Sequence, residues 1–93
     1  MNPNPNESAA VTAAALLELR QHPDAVRLIS EKLQVKSMGP ADHIRTKHEV
    51  KAFVESGDVP LAERLVVNAQ FRIQSAQQLS QRRMRLETET LDP

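Results

Sequence analysis

The chain contains no cysteine, tryptophan or tyrosine, and its only aromatic residues are Phe53 and Phe71. The lack of cysteine excludes disulfides, thiolate nucleophiles and cysteine-based zinc sites. Aromatic side chains bury the largest area per residue, so a chain with only two of them has a thin hydrophobic core. A short chain of this kind needs either very regular packing or a partner that completes the core.

Glycine is equally scarce, since it occurs only at positions 39 and 57. A phosphate-cradling loop needs glycines close together at a helix start, so this chain cannot build one. The formal net charge is +0, from 12 basic and 12 acidic residues. Proteins that bind nucleic acid without sequence preference carry a basic excess, so the composition argues against nucleic acid as the main partner.

No stretch has the pattern of an export signal or a membrane span. The apolar run 9–17 follows Glu7 rather than a basic residue, and Glu18 closes it. A signal peptide begins with a basic region, and a spanning helix needs about 20 apolar residues. These features predict a cytoplasmic protein that makes no membrane contact.

Proline and glycine divide the chain into segments that predict an all-α fold, a small bundle of three to four helices with a long C-terminal helix. Residues 1–7 are expected to be a disordered leader, residues 8–88 a helical domain and residues 89–93 a frayed end. Ser8 is the expected N-cap of a first helix that runs to about residue 21. Pro23 then starts a second helix, 23–35, although a single kinked helix is the alternative.

Apolar residues spaced three and four apart mark the face that each helix is expected to bury. These faces comprise Val11, Ala14, Ala15 and Leu19 in the first helix, Val26, Ile29 and Leu33 in the second, and Ile44, Val50, Phe53 and Val54 in the third, 41–56.

The fourth helix is predicted over 59–86, a length of roughly 40 Å at 1.5 Å per residue. Its apolar stripe consists of Leu65, Ala69, Ile73, Ala76, Leu79 and Leu86, with Arg72 and Arg83 at its edge. Because the other helices are about half as long, they cannot cover the whole stripe. The far end therefore predicts pairing with a partner protein or with a second copy in a homodimer.

The polar residues do not form a pattern that carries chemistry. His43 and His48 are five residues apart, whereas a zinc-binding helix places its two histidines four apart on one face. The sequence also lacks paired carboxylates on an apolar face and an activated serine. We therefore predict no enzymatic activity, no cofactor and no metal site.

The densest basic cluster lies near the end of the fourth helix, at Arg82, Arg83 and Arg85. One interpretation, and the alternative function, is a nucleic-acid-associated helical protein that contacts phosphate through these arginines. The other is a solvated helix end, where cations interact favourably with the helix dipole. Acidic residues follow directly and weaken the local positive potential, which favours the second interpretation.

Residues 46–69, about a quarter of the chain, carry one family-like pattern. Phe53 is followed by Gly57-Asp58 and then by small, large and small residues at Ala62, Val66 and Ala69. This resembles the helical hairpin of a tetratricopeptide repeat, in which small residues let two helices approach. Val50 stands where the repeat has a small residue, Pro60 is unusual in its position, and no second copy follows at the period of about 34 residues. The resemblance implies one hairpin of that packing type.

These features predict a non-enzymatic protein–protein interaction module, a small adaptor, chaperone or regulator. Bacterial secretion co-chaperones and anti-activators are similar in size and build, which is an analogy of fold and composition. The predicted contact residues lie on the fourth helix and are Leu65, Ala69, Ile73, Ala76 and Leu79, with Arg72 and Arg83 at the rim. The alternative is that these residues form the internal core, and for Leu65 and Ala69 that alternative is the favoured interpretation.

Overall fold

The computed structural model describes residues 5–91, and the side chains of residues 8–84. Within that range the chain forms four α-helices, which are α1 (Pro5–Leu19), α2 (Ala25–Lys32), α3 (Pro40–Ser56) and α4 (Val59–Leu91), and a 3-10 turn at Val35–Ser37. The predicted all-α bundle with a long C-terminal helix is confirmed. No helix in this range is long and apolar enough to cross a membrane.

α1 and α2 are separate helices rather than one kinked helix. Pro23 breaks the path because it has no N–H and biases His22 away from helical geometry. The chain turns between them, and the N–H of Ala25 donates to the carbonyl of His22 at 3.1 Å. α1 already begins at Pro5, so Ser8 lies inside the helix and the prediction that it is the N-cap is wrong.

Both expected termini fall partly beyond the described part of the chain. Residues 1–4 of the expected leader lie outside it, and residues 5–7 form the first turn of α1. At the other end α4 continues to residue 91, five residues past its predicted end, and residues 92–93 lie outside the described range.

α2 ends at Lys32, three residues before the predicted end, because of an unusual backbone conformation. Gln34 has a φ of 56°, in the left-handed region that non-glycine residues seldom adopt. This turn leads into the 3-10 segment while Leu33 and Val35 on either side stay buried. Pro40 then begins α3, at a position where a missing N–H costs no helical hydrogen bond.

The corner between α3 and α4 is made by Gly57, as predicted. Its φ is 67°, and its N–H donates to the carbonyl of Phe53 at 2.7 Å. A left-handed residue after the last helical one satisfies carbonyls that the helix leaves open. Arg20, just after α1, donates its Nε to the carbonyl of Val54 at 2.8 Å and so places a cation at the same helix end.

The hydrophobic core lies between the four helices, and α1 packs chiefly against α4. The largest fully buried side chains are Phe53, Leu16, Ile29, Leu65, Val50, Val66 and Thr46. The predicted stripe of α2 is confirmed, since Ile29 and Leu33 are buried and Val26 packs against the core.

Two of the predicted helix faces need correction. Val11 on α1 is 73% exposed, and Ile44 on α3 is 59% exposed. α1 instead buries Ala9, Ala13 and Leu16. Because α1 is apolar on most of its sides, residue spacing alone does not identify the side that faces the bundle.

Candidate functional site

One face of α4 runs past the end of the bundle. Along this face, residues alternate at spacings of three and four, the pattern of a helix that packs along another helix. We call it the seam, and it consists of Ala62, Leu65, Ala69, Arg72, Ala76, Leu79 and Arg83. Its first three members are at most 2% exposed, whereas Leu79 is 58% exposed.

The bundle covers the seam only as far as Ala76, which is half-buried. Every residue from 77 to 84 is exposed, while α4 itself continues to Leu91. We call residues 77–91 of α4 the overhang. At 1.5 Å per residue it is about 22 Å long. The described chain is accordingly elongated, with extents of 57 × 33 × 16 Å.

Arg72 shows how the covered part of the seam accommodates an arginine. Its guanidinium forms an ion pair with the Glu49 carboxylate of α3, and Nη1 also donates to Thr46 Oγ1 at 2.7 Å. The Arg72 side chain is only 12% exposed and that of Glu49 28%. The Thr46 hydroxyl in turn donates to Met38 Sδ at 3.3 Å. This network joins α4, α3 and the turn before α3.

The predicted contact residues therefore fall into two groups. Leu65 and Ala69 lie in the core, as the alternative interpretation held, and Ile73 is partly buried against it. Arg72 is not at a rim, because the ion pair with Glu49 holds it between helices. The residues left at or beyond the edge of the bundle are Ala76, Leu79 and Arg83.

Sequence reasoning missed Thr46 and Glu49 as partners of Arg72. They lie 26 and 23 residues earlier in the chain, so no local spacing connects them to it. A threonine on an otherwise polar helix also gives no sign that its side chain is 0% exposed. Only the packing of α3 on α4 brings the three together.

α4 also exposes apolar residues away from the seam, since Val67 is 46% and Phe71 70% exposed. Phe71 lies about 140° around the helix from Ala76, so one straight partner helix cannot cover both. We therefore treat Phe71 as a surface residue separate from the seam.

A groove of about 340 Å³ lies between α2, the 3-10 turn and α3. Charges of both signs line it, including Arg27, Glu31, Lys36 and Lys47. Arg27 pairs with Asp24, just before α2, and with Glu31 in α2, and the hydrogen bonds to these two carboxylates raise the pKa of Arg27. The lining of the groove therefore combines the exposed pair of Arg27 and Glu31 with two lysines.

Among residues 8–84, no group of three or more histidine, aspartate or glutamate side chains is placed to hold a metal ion. His48 is exposed and His43 is half-buried on α3. The tetratricopeptide-like positions Phe53, Ala62 and Val66 are all buried. Comparison of the chain with protein-family models, with curated proteins and with solved structures gives no match.

Proposed function

We propose that this protein is a non-enzymatic interaction module, a small adaptor, chaperone or regulator, that binds another protein chain through the seam of its overhang. The observation that supports the proposal is the continuity of the seam. The same three-and-four spacing that buries Leu65 and Ala69 against the bundle continues through Leu79 and Arg83, which are exposed. A helix from a partner can extend the packing that the bundle begins.

The exposed residues of the overhang indicate which residue types the partner surface should carry. Leu79 offers an apolar contact, and Arg82 and Arg83 offer charge. An amphipathic helix of the partner, with apolar residues toward Leu79 and a carboxylate toward Arg83, would match this face. The expected cytoplasmic location stays a prediction.

Two glutamate substitutions test the proposal. Leu79→Glu places a negative charge in the seam. Gln81→Glu places the same charge about 200° around the helix from Leu79 and so outside the seam. Both residues are exposed, so neither change should disturb the core. The measurement is quantitative recovery of partners, including the protein itself, from cells that produce it naturally.

The expected result is that a partner is retained by the wild type and by Gln81→Glu and is lost with Leu79→Glu. Equal recovery by the two variants would contradict a role for the seam. So would recovery of no partner by the wild type.

The alternative, nucleic-acid binding, depends on Arg82 and Arg83 together with Arg85, whose side chain lies beyond the described ones. Phosphate binding releases counterions, so its affinity falls steeply as salt rises. An apolar helix interface lacks that dependence. Tight binding of duplex DNA with a steep salt slope, lost in Arg82→Gln/Arg83→Gln, would favour the alternative over the protein partner.

A further inference from the structure

We propose that the partner of the overhang is the overhang of a second copy of this chain, paired with it in antiparallel orientation. This inference rests on the proposed function and names its partner. Four features of α4 support it: its uncovered length, the continuation of its seam, the order of its charges and the way it already accommodates an arginine.

The uncovered length of α4 suits an antiparallel pair. Place Arg83 of one copy opposite Leu86 of the other. In that register, Leu91 of the second copy lies beside Gln78 of the first. The bundle covers the seam only to Ala76, so the end of the second helix reaches the bundle without having to displace it.

The same register brings the two seams into contact. In an antiparallel pair of helices, the residues of each seam meet those of the other in successive layers. Leu79 lies opposite Thr90, and Arg83 lies opposite Leu86. Twofold symmetry repeats each layer, because the same patch on both copies forms the interface. Since half of these positions are polar, we expect a weak and reversible dimer.

The order of charges along the overhang selects the orientation. The basic residues Arg82, Arg83 and Arg85 come first, and the acidic residues Glu87 and Glu89 follow. A parallel pair sets like charges side by side. An antiparallel pair sets the basic half of each copy against the acidic half of the other, with Arg82 near Glu89.

The covered half of α4 contains a precedent for an arginine in the seam. Arg72 occupies a seam position and pairs with the Glu49 carboxylate from the neighbouring helix. Arg83 comes eleven residues later, about three turns on, and within about 20° of the same face. In the proposed pair Glu87 of the second copy lies next to Arg83 and supplies the equivalent carboxylate.

Charge reversal tests this pairing in the full-length protein. Arg82→Glu/Arg83→Glu and Glu87→Arg/Glu89→Arg each set like charges against each other in a pair of identical chains. Each variant alone should associate about tenfold or more weakly than the wild type in sedimentation equilibrium. An equal mixture of the two variants should recover association, because opposite charges then face each other. Gln81→Glu should associate like the wild type.

The orientation can be tested with cysteines, since the chain has none of its own. An oxidised mixture of Leu79→Cys and Thr90→Cys chains should form a linked heterodimer. Leu79→Cys alone should form little linked dimer, because its two copies would be about 16 Å apart along the axis. Efficient linkage of Leu79→Cys to itself would overturn the antiparallel orientation, and so would a dimer unaffected by either charge reversal.

The outcomes separate this inference from the proposed function. A wild-type chain that stays monomeric at high concentration, but captures a different protein that Leu79→Glu loses, would overturn self-pairing and leave the proposed function standing. A monomer with no seam-dependent partner would overturn both. Thermal unfolding of each variant, followed by circular dichroism, checks that the bundle itself stays folded.

Discussion

The guanidinium of Arg20 occupies the space that a side chain at Gly57 would need. A Cβ at position 57 would lie 2.7 Å from Cζ of Arg20. The same guanidinium donates to the carbonyl of Val54 at 2.8 Å and to that of Glu55 at 3.4 Å. The end of α1 is thereby fixed to the end of α3, and the absence of a side chain at residue 57 permits the contact.

Gly57→Ala should therefore destabilise the protein by about 2 kcal/mol, because alanine is strained at a φ of 67° and also pushes Arg20 away. Gly39→Ala is the matched control. Gly39 has a φ of −64°, and a Cβ there meets nothing within 4 Å. Its change in stability should stay within about 0.5 kcal/mol. Urea unfolding of both variants measures the difference, and equal losses would contradict the explanation.

A double-mutant cycle separates the two causes of the Gly57 effect. Arg20→Met keeps an apolar stem but removes the guanidinium. In that background Gly57→Ala should cost only about 1 kcal/mol, the part that comes from backbone strain. Additive effects of the two changes in urea unfolding would show that Arg20 and Gly57 are not coupled.

Breaking the pair between Glu49 and Arg72 should also weaken the fold. Glu49→Gln or Arg72→Met should each cost about 1–2 kcal/mol, because the remaining partner is left partly buried without its counter-charge. The double variant should lose less than the sum of the two. Arg27→Gln, which breaks the exposed pairs on α2, is the control and should leave stability unchanged within error. Chemical unfolding of all four proteins decides whether the single losses add.

The two phenylalanines should respond differently to the same change. Phe53 is 0% exposed and Phe71 is 70% exposed. Phe53→Leu should cost about 1 kcal/mol or more, because it leaves unfilled space in a small core, whereas Phe71→Leu should stay within about 0.5 kcal/mol. Thermal unfolding compares them. A large loss for Phe71→Leu would show that Phe71 packs against something in the folded protein.

The helices and their breaks could be predicted from local signals. Proline at 23 and 40 and glycine at 57 act on the backbone of their own segment, so their effects do not depend on distant parts of the chain. The early end of α2 escaped prediction, since a left-handed Gln34 has no signature in composition or spacing. The buried side of α1 also escaped prediction. Polar residues normally mark the side of a helix that faces solvent, and an alanine-rich helix has too few of them to show which side that is.

The candidate surface could be predicted in part. Periodicity identified the stripe of α4, and the length of the helix indicated that its far end would lie beyond the cover of the shorter helices. Periodicity cannot distinguish the covered half of the stripe from the exposed half, because both have the same residue spacing. Nor can it assign Arg72 to an internal ion pair, since Glu49 comes from another helix.

The sequence by itself determined that the helices break at Pro23, Pro40 and Gly57, that the core would be small, and that one helix would be longer than the rest. These are properties of neighbouring residues and of length. Only the tertiary structure decided that Arg72 forms an ion pair with Glu49 between α4 and α3, that the Arg20 guanidinium lies over Gly57, and that the seam is exposed beyond Ala76. Each of these depends on contacts between residues distant in the chain, which local propensity does not encode.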